Sequence, residues 1–128
     1  MSNYLKVFVY GTLKVGGRFA KKFDEVRLST KTGTIQGTMF NINKSFPGLV
    51  LGSNTDITGE VHKYKRPEEV EKAMDMIEGF RGENDPHNLY NKAEVEVETD
   101  EGVETCKVYV FARDTADFEE VVDGVWEL

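Results

Sequence analysis

The sequence predicts an α+β fold whose sheet curls towards a barrel. Three observations carry this reading. Strand-like runs outnumber helical ones, the first arm of a late hairpin alternates between apolar and charged residues, and one amphipathic helix precedes that hairpin.

The elements follow in order. Leu5–Tyr10 is rich in Val, Phe and Tyr and stops at Gly11. Its apolar side chains occur at both parities, which predicts a central strand covered on two faces. A short helix is expected from Arg18 to about Val26, with Phe19 and Phe23 on one face. Strands are expected over Ile35–Ile42 and Ile57–Tyr64, each holding a Gly that marks a bulge or a close contact. Between them, Phe46-Pro47-Gly48-Leu49 reads as a turn or rim segment.

The helix signal is strong. Pro67 suits a first turn, and Glu68, Glu69 and Glu71 suit the positive N-terminal end. Val70, Ala73, Met74 and Ile77 follow the i, i+3, i+4, i+7 rule, and Gly79 is placed as a stop. Ala93, Val95 and Val97 then alternate with Glu94, Glu96 and Glu98, giving a strand with one apolar face and one wet face. Thr99–Gly102 makes the turn of a hairpin, and Val103–Phe111 returns as its less cleanly alternating, more central arm.

At 128 residues, with 39% hydrophobic and 30% charged residues, the chain is expected to form one domain spanning 1–128. Sixteen Lys and Arg against 23 Asp and Glu leave a net charge of −7, which argues against a nucleic-acid partner. The excess is local: Asp114–Leu128 holds six acidic residues and no Lys or Arg. That segment reads as a solvated end that Phe118, Val121, Val122 and Trp126 can pin to the body. One cysteine, Cys106, excludes an internal disulfide and a four-thiolate zinc site, and its mid-strand position suits a core residue. His62 and His87 lack ligand spacing, and none of the four serines sits in a nucleophile elbow. The N-terminus shows neither a signal peptide nor a membrane-length apolar run, so a cytoplasmic protein with no membrane partner is expected. A monomer is the default.

Two stretches are candidates for chemistry. Tyr10-Gly11-Thr12-Leu13, followed by Gly16-Gly17, ends a strand in a glycine-rich loop able to present backbone N–H groups to a carboxylate or an oxyanion. It is not a phosphate loop, since Gly17-Arg18 stands where Lys-Ser/Thr is required. On local pattern alone it is equally an ordinary glycine turn. The other is Glu78. At about 100° per residue it falls about 90° from the centre of the apolar stripe, at the edge of the buried face. Partial burial and the C-terminal dipole would both raise its pKa, as a general base near neutral pH requires. Its alternative is a solvated helix-end glutamate.

Together these residues resemble the γ-glutamylcyclotransferase-like family, which includes γ-glutamylamine cyclotransferases and AIG2-like proteins. Val7-Phe8-Val9-Tyr10-Gly11-Thr12-Leu13-Lys14 is similar to the opening strand and its Tyr-Gly-Thr/Ser-Leu loop. Phe46-Pro47-Gly48-Leu49 resembles the central Tyr/Phe-Pro-Gly/Ala segment, and Thr58-Gly59-Glu60-Val61 resembles the following Gly-Glu strand. Met74–Phe80 is similar to the helix end that holds the catalytic Glu, and Tyr90-Asn91-Lys92 occupies the place of Tyr-x-Arg. The resemblance implies a small mixed β-barrel flanked by helices, with no metal and no cofactor. It implies conversion of a small-molecule γ-glutamyl-amine or γ-glutamyl peptide to 5-oxoproline and free amine. Glu78 would be the catalytic acid/base, Gly11, Thr12 and Leu13 would bind substrate, and Tyr10 and Tyr90 would line the pocket. Lys14 and Lys92 depart from the usual Arg, and Lys offers a point charge where Arg offers a fork. The rival reading is a non-catalytic module that keeps the cavity to bind a small carboxylate or a partner segment.

Overall fold

The computed structural model describes residues 3–128. Seven strands and one α-helix follow in the order β1 (Leu5–Val9), β2 (Arg27–Ile42), β3 (Phe46–Leu51), β4 (Thr55–Tyr64), α1 (Pro67–Ile77), β5 (Tyr90–Thr99), β6 (Gly102–Phe111) and β7 (Glu119–Glu120). The sheet is mixed: β1 runs antiparallel to β4 and parallel to β6. Its strand order is β3-β2-β4-β1-β6-β5, with β7 on β2. A further pairing of Gly33 and Thr34 on β2 with Thr99 and Glu98 on β5 brings this path back onto itself. Gly33 permits that approach, because a Cβ there would lie 2.5 Å from Val97 Cγ1.

The two-residue period of β1 divides the interior in two. Leu5, Val7 and Val9 pack with Val70 and Met74 of α1, and with Tyr90, Tyr109 and Phe111. Phe8 and Tyr10 point the other way and pack with Ile35, Met39, Ile57, Val97 and Val108. Both faces of β1 are therefore covered, as the mixed parity of its sequence predicts. Cys106 belongs to the second cluster, where burial pushes its thiol up to about 11. On β5, the alternation of Ala93–Glu98 holds: Val97 is buried while Glu94, Glu96 and Glu98 are exposed.

Three expectations need correction. The helix expected over Arg18–Val26 is a single 3₁₀ turn, Ala20–Phe23. Only Ala20 and Phe23 are buried there, and their i, i+3 spacing fits three residues per turn rather than 3.6. Among the described residues one α-helix, not several, thus flanks the sheet. Phe46–Leu49 is not a turn but most of β3. Pro47 is tolerated because β3 pairs on one side only, with β2. Finally, the strand expected at Ile35 begins at Arg27, eight residues earlier, because its first half pairs along β4.

The acidic C-terminal segment is held by main-chain bonds as well as by side chains. Val121 N–H donates to Met39 O (2.7 Å), Thr58 N–H donates to Gly124 O (3.0 Å), and Lys14 Nζ donates to Trp126 O (2.6 Å). Phe118, Val121 and Trp126 pack against the core clusters, whereas Val122 points into solvent. Among the described residues no helix is long and apolar enough to cross a membrane.

Candidate active site

The helix end places Glu78. Gly79 adopts a left-handed conformation (φ 66°), Phe80 N–H donates to Asp75 O (2.9 Å), and Gly79 N–H donates to Met76 O (3.3 Å). These are the paired bonds of a Schellman cap, which only a residue free to adopt positive φ completes cheaply. Glu78 is the C-cap itself, with its own N–H still bonded to Met74 O (2.9 Å). Its carboxylate receives no hydrogen bond and no ion pair among the described residues. Burial alone pushes it up to about 7.

The carboxylate faces a cavity of about 200 Å³. Gly11, Thr12 and Leu13 line the same cavity, as do Tyr10 and Tyr90. In the loop after β1, the turn bonds are donated by Lys14 (to Gly11 O, 3.0 Å), Gly17 (to Lys14 O, 2.7 Å) and Phe19 (to Thr12 O, 2.9 Å). The N–H groups of Gly11, Thr12 and Leu13 are not among these donors. Gly11 is needed here for space, since a Cβ would lie 2.4 Å from Pro47 Cγ. The five residues singled out in sequence and Glu78 therefore surround one hollow.

The two tyrosines contribute rings rather than free hydroxyls. Tyr10 donates to Tyr109 O (2.6 Å) and Tyr90 donates to Pro47 O (2.5 Å), and both are buried. Burial raises both phenols, and the Glu78 carboxylate adds to the shift in each, so both stay neutral at pH 7 with their protons held by backbone carbonyls.

Lys92 lies away from this cavity. Its Nζ reaches Glu71 Oε2 (2.6 Å) and Asp75 Oδ1 (3.0 Å), and sits 4.7 Å from the centroid of the Phe80 ring. Tyr109 OH donates to Asp75 Oδ1 (2.7 Å), and Lys107 Nζ binds Glu71 (2.8 Å). The position of the usual Arg is thus a clamp between β5, β6 and α1, and a point charge seated between two carboxylates serves it.

Local sequence reasoning missed several residues. Arg18, Phe19, Phe46, Pro47, Ile77, Leu89 and Tyr109 also line the cavity, brought there by pairing that no local pattern reports. Glu60 is another: Val15 N–H donates to its Oε1 (2.9 Å), anchoring the far end of the glycine loop. The same oxygen lies 2.8 Å from Nε2 of the fully buried His62, whose Nδ1 lies 2.6 Å from Tyr64 OH. The alternation of Glu60, His62 and Tyr64 along β4 is the signal that could have grouped them. Among the described residues no three His, Cys, Asp or Glu side chains gather as a metal-ligand set.

A mixed sheet with one helix, enclosing a small hollow that joins a helix-end carboxylate to a glycine-loop backbone, defines a class. The chain belongs to the gamma-glutamyl cyclotransferase, AIG2-like family, whose model matches residues 7–128. The gamma-L-glutamyl-butirosin B gamma-glutamyl cyclotransferase of Niallia circulans is 33% identical over 108 residues, 84% of this chain and 67% of that protein. Among solved structures, YkqA of Bacillus subtilis superposes with a TM-score of 0.72 at 22% identity, covering 96% of this chain. The chain spans only 39% of the length of YkqA. An AIG2-like protein of Mus musculus gives a TM-score of 0.68 at 17% identity, covering 91% of this chain and 83% of that one. At these identities the likeness to both structures is one of fold.

Proposed function

We propose that the protein is a γ-glutamyl cyclotransferase that releases 5-oxoproline from a γ-glutamyl-amine or γ-glutamyl peptide, with Glu78 as the general acid and base. One observation carries the reading: an unpaired carboxylate, raised by burial to about 7, shares a small cavity with three loop residues whose N–H groups take no part in the turn bonds. The name of the Niallia circulans relative supports the same reaction type. The circuit of strands β2–β4–β1–β6–β5 supports reading the sheet as a small barrel, and residues 1–128 as one domain built on it.

The substrate supplies its own nucleophile. Ionised Glu78 takes a proton from the α-ammonium, and the freed amine attacks the γ-carbonyl carbon, closing a five-membered ring. The carbonyl electrons move to oxygen, and backbone N–H groups of Gly11–Leu13 stabilise that oxyanion. Collapse of the tetrahedral centre breaks the bond to the leaving nitrogen, which takes the proton back from Glu78; the re-ionised carboxylate then removes the surplus proton of the ring nitrogen and passes it to the departing amine, which leaves as an ammonium. The products are 5-oxoproline and a free amine. Holding amine and carbonyl in the cyclising conformer contributes several kcal/mol, and proton transfer contributes roughly 10²–10⁴-fold.

Incubation with γ-glutamyl-amines and γ-glutamyl dipeptides, followed by mass spectrometry for 5-oxoproline, tests the reading. Wild type is expected to release it, and Glu78→Gln to lose at least about 100-fold in rate while staying folded. Binding without turnover across the panel would instead favour a non-catalytic carboxylate-binding module. Wild-type turnover by Glu78→Gln would remove Glu78 from the mechanism.

A further inference from the structure

We infer that Arg18 is a specificity-determining residue that binds a carboxylate on the leaving amine, so that γ-glutamyl amino acids and peptides are preferred over γ-glutamyl-polyamines. The inference rests on the cyclotransferase reading above and narrows its substrate class.

Of the residues lining the cavity, Arg18 and Glu78 are the charged ones. The Arg18 guanidinium is under-used. It is exposed, its Nη2 reaches Ser45 O at only 3.5 Å, it stands 5.8 Å from the centroid of the Phe19 ring, and it forms no ion pair among the described residues. A guanidinium carries five N–H donors in a fork that matches a carboxylate. With no carboxylate paired to it among the described residues, the guanidinium makes the rim of the cavity locally receptive to an anion.

The position of Arg18 decides which end of the substrate it meets. Tyr10, Gly11, Leu13 and Tyr90 are buried, so the wall that faces the reacting carbonyl is the inner one. Arg18 is at the outer edge. A volume of about 200 Å³ is smaller than the ~300–1,000 Å³ of ordinary small-molecule sites. It suits the glutamyl head alone, and the leaving moiety then passes the rim where the guanidinium stands. A carboxylate on that moiety gains a charge-assisted hydrogen bond, and an ammonium is repelled.

The test compares kcat/KM for γ-glutamyl-glycine, γ-glutamyl-ethylamide and γ-glutamyl-putrescine, whose leaving amines carry an anion, no charge and a cation. Wild type is expected to prefer the glycine conjugate over the ethylamide by about tenfold, the scale of one charge-assisted hydrogen bond. Arg18→Gln should bring that ratio to within about twofold, and Arg18→Glu should place the putrescine conjugate first. Comparable wild-type values for all three, or a ratio that persists in Arg18→Gln, would overturn the assignment. The second result would mean that the guanidinium serves the glutamyl head or nothing. Calorimetric affinities for the three conjugates on the Glu78→Gln protein read the same preference without turnover. Absence of 5-oxoproline from every conjugate defeats the cyclotransferase reading, whereas equal affinities defeat the role of Arg18.

Discussion

Glu78 is set apart by what its surroundings withhold. Among the described residues no donor pairs with its carboxylate, and burial raises it from the 4.5 of an exposed glutamate to about 7. The same fact predicts a stability effect. Below pH 4.5 the group is protonated in both the folded and unfolded chains and costs nothing. Between 4.5 and 7 the unfolded chain ionises while the folded one resists, so folding stability falls as pH rises, and the loss is complete above the folded value. Glu78→Gln removes that penalty. Its melting temperature should therefore match that of wild type near pH 4 and exceed it by several degrees at pH 8, for a free-energy difference of order ~3 kcal/mol. Calorimetric scans across this range check it, and a gap that does not change with pH would mean the carboxylate is solvated. In sequence the apolar stripe of its helix puts Glu78 at the edge of the buried face but leaves a solvated helix-end glutamate open, and only the motifs taken as a set favour the cavity. Arg18 and Tyr109 were not legible, because each reaches the cavity through tertiary packing.

The helix and the strands that hold it are joined by charge as well as by packing. Lys92 on β5 sits between Glu71 and Asp75 of α1, and Asp75 also accepts from Tyr109 of β6. Both carboxylates are half-buried, so removing the ammonium leaves them facing each other with fewer partners. Lys92→Met is expected to destabilise the fold by about 1–2 kcal/mol, and Lys92→Arg to keep most of the stability, since its fork can span the same two groups. Urea unfolding of the two variants measures this, and an unchanged midpoint in Lys92→Met would show that the clamp contributes nothing. Element by element, α1 and the β5–β6 hairpin were readable because their periods of 3.6 and 2 are strong and local. The Arg18–Val26 helix and the Phe46–Leu49 turn were misread for opposite reasons. Too few positions are buried in the first to sustain a helix, and Pro47 hides an edge strand in the second.

On the scale of the whole molecule, the sheet sets the cavity by bringing together segments distant in the chain. The loop after β1, the start of β3, the end of α1 and the start of β5 meet at one hollow. Composition and periodicity predicted an α+β fold, but strand order and the β2–β5 pairing depend on register between remote segments, which no local pattern encodes. The motifs carried that information only as a set, in their order and spacing along the chain. The most direct test of the account is the pH dependence of kcat/KM for 5-oxoproline release, measured for wild type and Glu78→Gln. The wild-type rate should climb with pH through a midpoint near 7, where Glu78 ionises, and the variant should be at least about 100-fold slower with that rise abolished. A midpoint near that of an ordinary exposed carboxylate, or the same rise in Glu78→Gln, would contradict it.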